Sequence, residues 1–224
     1  MAQTQAYPPG GTFFDNAKRS FANVPINNSK DNAIATTEFL EAAESLTRLF
    51  DVLGSVAFKP VSNDMTGNIK LQAPMESESL QELVQNELKT KKHVATEGLV
   101  WLTRYAQHFP HIHLTPSFQM LMRLQYRGLD FTAQALRKNL TNPDEELSTS
   151  FRDAYRNTLK QFHGMLIKPI FSAAMSATPY RKDFYAKLGD DQTRVNKELG
   201  DWLTALEERV NILKEFLGRK ENKW

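Results

Sequence analysis

A carboxylate, an amide and a lysine lie close together in the stretch "SNDMTGNIK", residues 62–70. Asp64 and Asn68 are four residues apart, so on a helix their side chains lie on the same face. The preceding segment, "LFDVLGSVAFKPV", is mostly apolar, and Lys70 follows Asn68 closely. The combination suits a polar site at the edge of an apolar region, but Asp64 could equally favour the first turn of a helix by its charge alone.

A second candidate is a cluster of three histidines, His108, His111 and His113, in the stretch "HFPHIHLTP". Imidazole is the commonest side-chain ligand of transition metals. However, Pro110 lies inside the cluster, and the surrounding residues 106–124 include no acidic residue. An irregular loop is therefore the better interpretation, and we predict no bound metal and no cofactor.

The sequence has no motif that is typical of an enzyme. It contains no G-x-x-x-x-G-K-[ST] phosphate loop, no G-x-G-x-x-G, no G-x-S-x-G and no H-E-x-x-H. It also contains no cysteine, which excludes thiol catalysis, zinc bound by cysteine and disulfide bonds. No catalytic pair of side chains stands out, so we predict that the protein is not an enzyme.

Composition indicates a globular protein of the cytosol. The chain has 224 residues, of which 41% are hydrophobic and 24% charged, enough to build a core. The net charge is only +2 and the longest basic run is "KTKK", residues 89–92, whereas proteins that bind nucleic acid usually carry a clustered basic face. No apolar run reaches the roughly 18 residues that a spanning helix needs, and no signal peptide is recognisable. We expect a cytoplasmic location and no nucleic acid partner.

Apolar residues recur with the period of an α-helix through most of the chain. The four clearest stripes are Phe39, Ala43, Leu46, Phe50 and Leu53; Leu80, Leu83, Val84 and Leu88; Leu147, Phe151, Tyr155, Leu159, Phe162, Leu166 and Ile170, disturbed only at Pro169; and Val195, Leu199, Trp202, Leu206, Val210, Leu213 and Leu217. No stretch alternates as a strand would, so the predicted fold class is all-α. The stripes suit either a packed core or helix layers that part to admit an apolar ligand.

Residues 1–12, rich in Pro, Gly and Gln, predict a disordered tail before a domain at 13–224.

Four stretches occur in a fixed order along the chain: "LFDVLGSVAFKPVSNDMTGNI", "VWLTR", "RGLDF" and "FHGMLIKPIFSAAMSATPYRKDFYAKLG". They contain the elements D-x-x-x-N, Trp, F-H-G and A-x-P-Y-[RK]-x-D-F, which are weak singly but highly specific together. In this order they resemble the glycolipid transfer protein family, and most of all its fungal members named for heterokaryon incompatibility. The resemblance runs from about residue 10 to the C-terminus.

This resemblance implies a two-layer helical sandwich that carries one glycosphingolipid, with the ceramide chains between the layers and the sugar at the surface. Asp64 and Asn68 match the pair that hydrogen-bonds the first sugar. Trp101 matches the indole that stacks on the sugar ring, and His163 matches the imidazole that meets the ceramide amide. A carboxylate can accept from two vicinal hydroxyls at once, and a flat indole suits the apolar face of a sugar. The implied function is transfer between membranes without catalysis, with transient peripheral contact to each membrane.

Some of these residues also have purely structural interpretations, and the chain departs from the family pattern near two of them. Trp101 and His163 could both be core residues. Three positions after Asn68, where the family has a basic residue, this chain has leucine; Lys70 would point roughly 100° away from that position and is a weak candidate. Met165 stands where some members carry a membrane-facing tryptophan. Methionine lacks the interfacial preference of indole, so membrane docking is expected to be weaker or to use other residues.

The largest departure is an insert at residues 105–127. In the family the tryptophan motif continues directly into R-G-L, whereas here 23 residues separate Arg104 from Gly128. Pro110 and Pro116 cannot lie inside a regular helix, so one family helix is expected to be split by a loop that holds the three histidines. An unspliced intron is one explanation, because codons at the two ends of the insert can spell the splice signals GTAYGC and TAYAG in frame. In that case the histidine cluster has no function.

Three functions stay open on the sequence alone: transfer of a glycosphingolipid, a sensor that binds the lipid and reports it to a partner, and transfer of ceramide 1-phosphate. The last would require a basic cluster at the head group, and Trp101 with the single weak candidate Lys70 argues against it. Neither the preferred sugar nor the oligomeric state follows from the sequence.

Overall fold

Helices dominate the structure, a computed structural model that describes residues 7–54, 58, 59, 62, 66, 77–90, 128–165 and 167–222. The side chains of Thr90, Phe162 and Ile167 are not among the described ones. Residues 58, 59, 62 and 66 are helical, and the other described α-helices are α1 (Thr36–Val52), α2 (Leu80–Thr90), α3 (Gly128–Thr141), α4 (Leu147–Thr158), α5 (Ile167–Ser176), α6 (Arg181–Leu188) and α7 (Gln192–Gly218).

Short 3-10 turns and one small strand pair accompany the α-helices. The 3-10 turns span Phe13–Asn16, Phe21–Asn23, Asn28–Lys30, Lys160–Phe162 and Lys220–Asn222. Strands β1 (Ile26–Asn27) and β2 (Ala33–Ile34) pair antiparallel. The all-α prediction is confirmed, since strands of two residues are too short to produce alternation in a sequence.

Helix α7 supplies much of the described core. Its N-terminus is capped by Asp191, whose carboxylate accepts hydrogen bonds from the backbone N–H groups of Thr193 and Arg194, both at 3.0 Å. The predicted fourth stripe lies on this helix, and all its members are buried. Its Trp202 meets Phe21 edge-to-face, with ring centroids 5.4 Å apart. The first stripe is likewise buried along α1 and at its C-cap.

The third predicted stripe is divided between two helices rather than running through one. Helix α4 ends at Thr158, a 3-10 turn follows, and α5 begins only at Ile167. Pro169 lies in the first turn of α5, where its missing N–H costs no helical hydrogen bond. Ile170 was predicted to continue the buried stripe, but 53% of it is exposed. The break leaves His163 in an extended conformation between the two helices.

Packing begins slightly before the predicted domain boundary. Thr12, assigned by the sequence to the disordered tail, is fully buried, and its hydroxyl donates to Glu198 of α7 at 2.5 Å. Its backbone pairs with Gly189, where a Cβ would meet the Gly11 carbonyl oxygen at 3.1 Å and the backbone has φ +154°. A disordered tail would therefore have to end before Thr12, and residues 1–6 lie outside the described residues.

Candidate functional site

His163 is buried between α4 and α5, with 4% of the residue exposed. Its imidazole packs against one aromatic ring from each helix. The ring centroid lies 4.5 Å from that of Phe171 on α5 and 5.4 Å from that of Tyr155 on α4. The break after α4 therefore places this imidazole in a pocket of aromatic side chains.

Tyr155 brings a polar group to this aromatic cluster. Its hydroxyl oxygen lies 3.0 Å from Nδ1 of His163, and its ring stacks on Phe171 with centroids 5.3 Å and planes 12° apart. Burial raises the pKa of the Tyr155 hydroxyl to about 12, so the hydroxyl keeps its proton at neutral pH. The cluster can thus hold the imidazole in a fixed orientation and present it to a polar group that enters apolar surroundings.

Polar contacts connect the two helices that flank His163 to each other and to α3. Lys138 of α3 forms an ion pair with Asp153 of α4, and this hydrogen bond lowers the pKa of the Asp153 carboxyl. On α4, the Arg152 guanidinium donates to the hydroxyl of Ser176 on α5 at 2.7 Å. The ring positions of Tyr155 and Phe171 are therefore set by helices that are themselves tied to their neighbours.

Apolar side chains are exposed directly after the buried imidazole. Met165 is 88% exposed and Ile170 is 53% exposed, and the nearby Lys160 and Lys168 are exposed as well. Apolar side chains flanked by lysines are typical of surfaces that lie on the boundary between lipid head groups and acyl chains. Within the part of the chain that the structure describes, no helix is long and apolar enough to cross a membrane.

Of the predicted site residues, the structure places only His163. The others lie outside the described residues: Asp64, Asn68, Lys70 and Trp101. The insert at 105–127, with its three histidines, also lies outside them. The roles of these residues stay predictions. Among the residues that are described, no group of three or more His, Asp or Glu could hold a metal ion.

Comparison with protein families identifies the fold family. The family model of the glycolipid transfer protein (GLTP) matches residues 34–115 and 106–190. The chain belongs to the glycolipid transfer protein family. The second matched range contains the buried cluster around His163, and the two ranges meet at 106–115, inside the predicted insert.

Individual family members are similar over nearly the whole chain. A glycolipid transfer protein of Aureobasidium melanogenum is 63% identical over 225 residues, which cover 98% of this chain and 99% of that protein. The crystal structure of HET-C2, a fungal glycolipid transfer protein, has 53% identity and a TM-score of 0.79, covering 95% of this chain and 100% of that one. A structure that addresses how FAPP2 selects simple glycosphingolipids using the GLTP fold has 25% identity and a TM-score of 0.74, covering 95% and 98%. The predicted family, its fungal type and the two-layer helical sandwich are thereby confirmed.

Sequence reasoning assigned Tyr155 only to the apolar stripe of a core helix and did not connect it with His163. The two residues are eight positions apart across the end of α4, a distance at which no helical spacing predicts contact. One signal was available, because a tyrosine in an otherwise aliphatic and phenylalanine stripe needs a hydrogen-bond partner when it is buried. A histidine shortly after the helix end was the nearest candidate.

Proposed function

We propose that this protein transfers a glycosphingolipid between membranes through the cytoplasm and leaves the lipid chemically unchanged. Membership of the glycolipid transfer protein family, matched over most of the chain, is the observation that carries the proposal. The buried imidazole of His163 supports it, because this is the residue that the family motif assigns to the ceramide amide.

The proposed head-group site divides recognition among the predicted residues. Asp64 accepts hydrogen bonds from the hydroxyls of the first sugar, and Asn68 adds an amide on the same helix face. Trp101 stacks on the apolar face of the sugar ring. His163 pairs with the ceramide amide where head group and acyl chains join, and Lys70 is at most an additional contact.

Selectivity must come from these polar groups rather than from the acyl chains. Each buried methylene is stabilised by about 0.8 kcal/mol relative to water, but a ceramide gains about as much in a bilayer as between two helix layers. Moving the chains from membrane to protein is therefore nearly balanced. A sugar hydroxyl or amide that stays unpaired after burial costs roughly 1–3 kcal/mol, and this difference can discriminate between head groups.

The exposed side chains of Met165 and Ile170, with the exposed Lys160 and Lys168 near them in the chain, are the proposed membrane contact. Met165 and Ile170 would enter the interface while the two lysines stay among the head groups. Because Met165 is only two residues after His163 in the chain, a lipid extracted there would have a short path to the buried imidazole. The contact is transient, since one methionine and one isoleucine bury little apolar area.

Met165→Asp should weaken binding to phosphatidylcholine vesicles by roughly tenfold or more, because burying a methionine side chain is worth about 1.5–3 kcal/mol and each 1.4 kcal/mol is tenfold in affinity. Melting temperature should not change, since the side chain is exposed. The measurement is vesicle sedimentation. Asn211→Asp, which adds the same charge at an exposed position of α7, is the control and should bind as the wild type does. Equal binding by the Met165 and Asn211 variants would place the membrane contact elsewhere.

Trp101→Ala should reduce the affinity for glucosylceramide more than Trp101→Phe does, because phenylalanine keeps part of the flat apolar face that stacks on a sugar. Affinity must be compared with the melting shift of each folded variant. If Trp101 were only a core residue, truncation to alanine would cost about 3–5 kcal/mol of stability. Affinity per folded molecule would then be the same for all three side chains, and the assignment of Trp101 to the sugar site would be wrong.

A vesicle-to-vesicle transfer assay tests the proposed function directly. Donor vesicles contain fluorescently labelled glucosylceramide, ceramide 1-phosphate or phosphatidylcholine in separate experiments. We expect glucosylceramide to move and mass spectrometry to recover it intact. Binding of glucosylceramide without transfer would favour the sensor function, and preferential transfer of ceramide 1-phosphate would overturn the sugar specificity.

A further inference from the structure

We propose that Tyr155 is a positioning residue for lipid recognition: its hydroxyl donates to Nδ1 of His163 and thereby selects the imidazole tautomer that meets the ceramide amide. This inference rests on the proposed function, in which His163 pairs with that amide. Tyr155 itself need not touch the lipid.

The direction of the hydrogen bond follows from the hydrogen that each partner carries. Among the residues that the structure describes, Nδ1 of His163 is the hydrogen-bond partner of the Tyr155 hydroxyl, at 3.0 Å. If the phenol donates, its one hydrogen is paired. If it accepted from Nδ1–H instead, its own hydrogen would be buried without a partner, which is the less stable arrangement. The raised pKa of Tyr155 is consistent with a hydroxyl that retains this hydrogen.

Donation from Tyr155 determines the state of the far side of the imidazole ring. A neutral imidazole whose Nδ1 accepts carries its hydrogen on Nε2. Nε2–H is a donor, so it pairs with the carbonyl oxygen of the ceramide amide and not with the amide N–H. In the opposite tautomer, Nε2 would be an acceptor and would meet that carbonyl oxygen with a lone pair.

Ring packing makes Tyr155→Phe a selective test. The stacking of Tyr155 on Phe171 and the tilted contact between Phe171 and His163 involve the rings and not the hydroxyl. Phenylalanine therefore keeps the packing and removes only the hydrogen bond. Tyr185→Phe is the matched control, because Tyr185 on α6 is also buried and its hydroxyl interacts with Arg181 and not with His163.

The first measurement is ¹⁵N NMR of histidine-labelled full-length protein at neutral pH, with His163 assigned by the His163→Gln variant. In the wild type we expect an unprotonated Nδ1 and a protonated Nε2. Tyr155→Phe should shift the ring towards a mixture of both tautomers, and Tyr185→Phe should leave it unchanged. A wild-type His163 that carries its hydrogen on Nδ1 overturns the proposal, and this result needs no variant to fold.

The second measurement is the affinity for fluorescently labelled glucosylceramide in phosphatidylcholine vesicles. Tyr155→Phe should weaken binding roughly three- to tenfold, as expected for loss of one hydrogen bond, and should cause little further loss in a His163→Gln background. Equal loss in both backgrounds, or wild-type affinity in Tyr155→Phe, overturns the positioning role while leaving the proposed function intact. If the wild type binds no glucosylceramide, the proposed function fails first and the role of Tyr155 in it fails as well.

Discussion

Asp64→Val should abolish transfer of glucosylceramide between vesicles while leaving the helix content of the protein unchanged. The family motif assigns this carboxylate to the hydroxyls of the first sugar, and hydrogen bonds to a charged group are worth about 1.5–3 kcal/mol. Valine is close to aspartate in size but cannot accept a hydrogen bond. Because the acyl chains bind protein and bilayer about equally well, little else in the site would compensate for this loss.

Asp51→Val is the matched control for Asp64→Val. Asp51 is an exposed residue of α1, thirteen positions earlier in the sequence, so the control removes the same charge without touching the proposed site. Transfer is followed by fluorescence, and circular dichroism reports the helix content of both variants. Normal transfer by a folded Asp64→Val protein would contradict the assignment of the head-group site.

Much of the fold was predictable because its strongest sequence signals are local. Helix α7 combines an unbroken apolar stripe with Asp191 at its N-cap, and both signals depend only on neighbouring residues. The prediction of one long third stripe was wrong for the same reason, because it too used only local signals. The apolar period of the sequence continues past the end of α4. The structure, however, leaves the helical conformation before His163 and begins a new helix at Ile167, which periodicity alone does not reveal.

The candidate site was predictable only as far as family motifs extend. His163 could be named from the F-H-G motif, and the structure places it in a buried aromatic cluster. A buried tyrosine at position 155 calls for a hydrogen-bond partner, but that this partner is His163 depends on the geometry of the break between α4 and α5, which periodicity does not reveal. The exposure of Met165 has the same origin, since the residue lies in that break and outside either helix.

Deletion of residues 105–127 should raise both the melting temperature and the rate of glycolipid transfer. Arg104 would then join Gly128 directly, and Pro110 and Pro116 would no longer interrupt the helix that the family motif runs through this point. The first six residues of α3, Gly128–Ala133, are all buried. After the deletion, residues 101–104 would provide carbonyl partners for the first backbone N–H groups of α3 within one continuous helix.

Deletion of the insert should stabilise the protein by more than the removal of its two prolines alone. A gain of about 2 kcal/mol would raise the melting temperature of a chain of this length by roughly 4–8 °C. The control is the full-length protein with Pro110→Ala and Pro116→Ala, which removes both prolines but keeps the insert. It should recover less stability and less transfer than the deletion, because the family helix stays interrupted by the additional residues. A deletion variant that is less stable than the full-length chain, or no more active, would show that the insert contributes to the stability or the activity of the protein. Transcripts that lack the corresponding codons would support a retained intron as the origin of the insert.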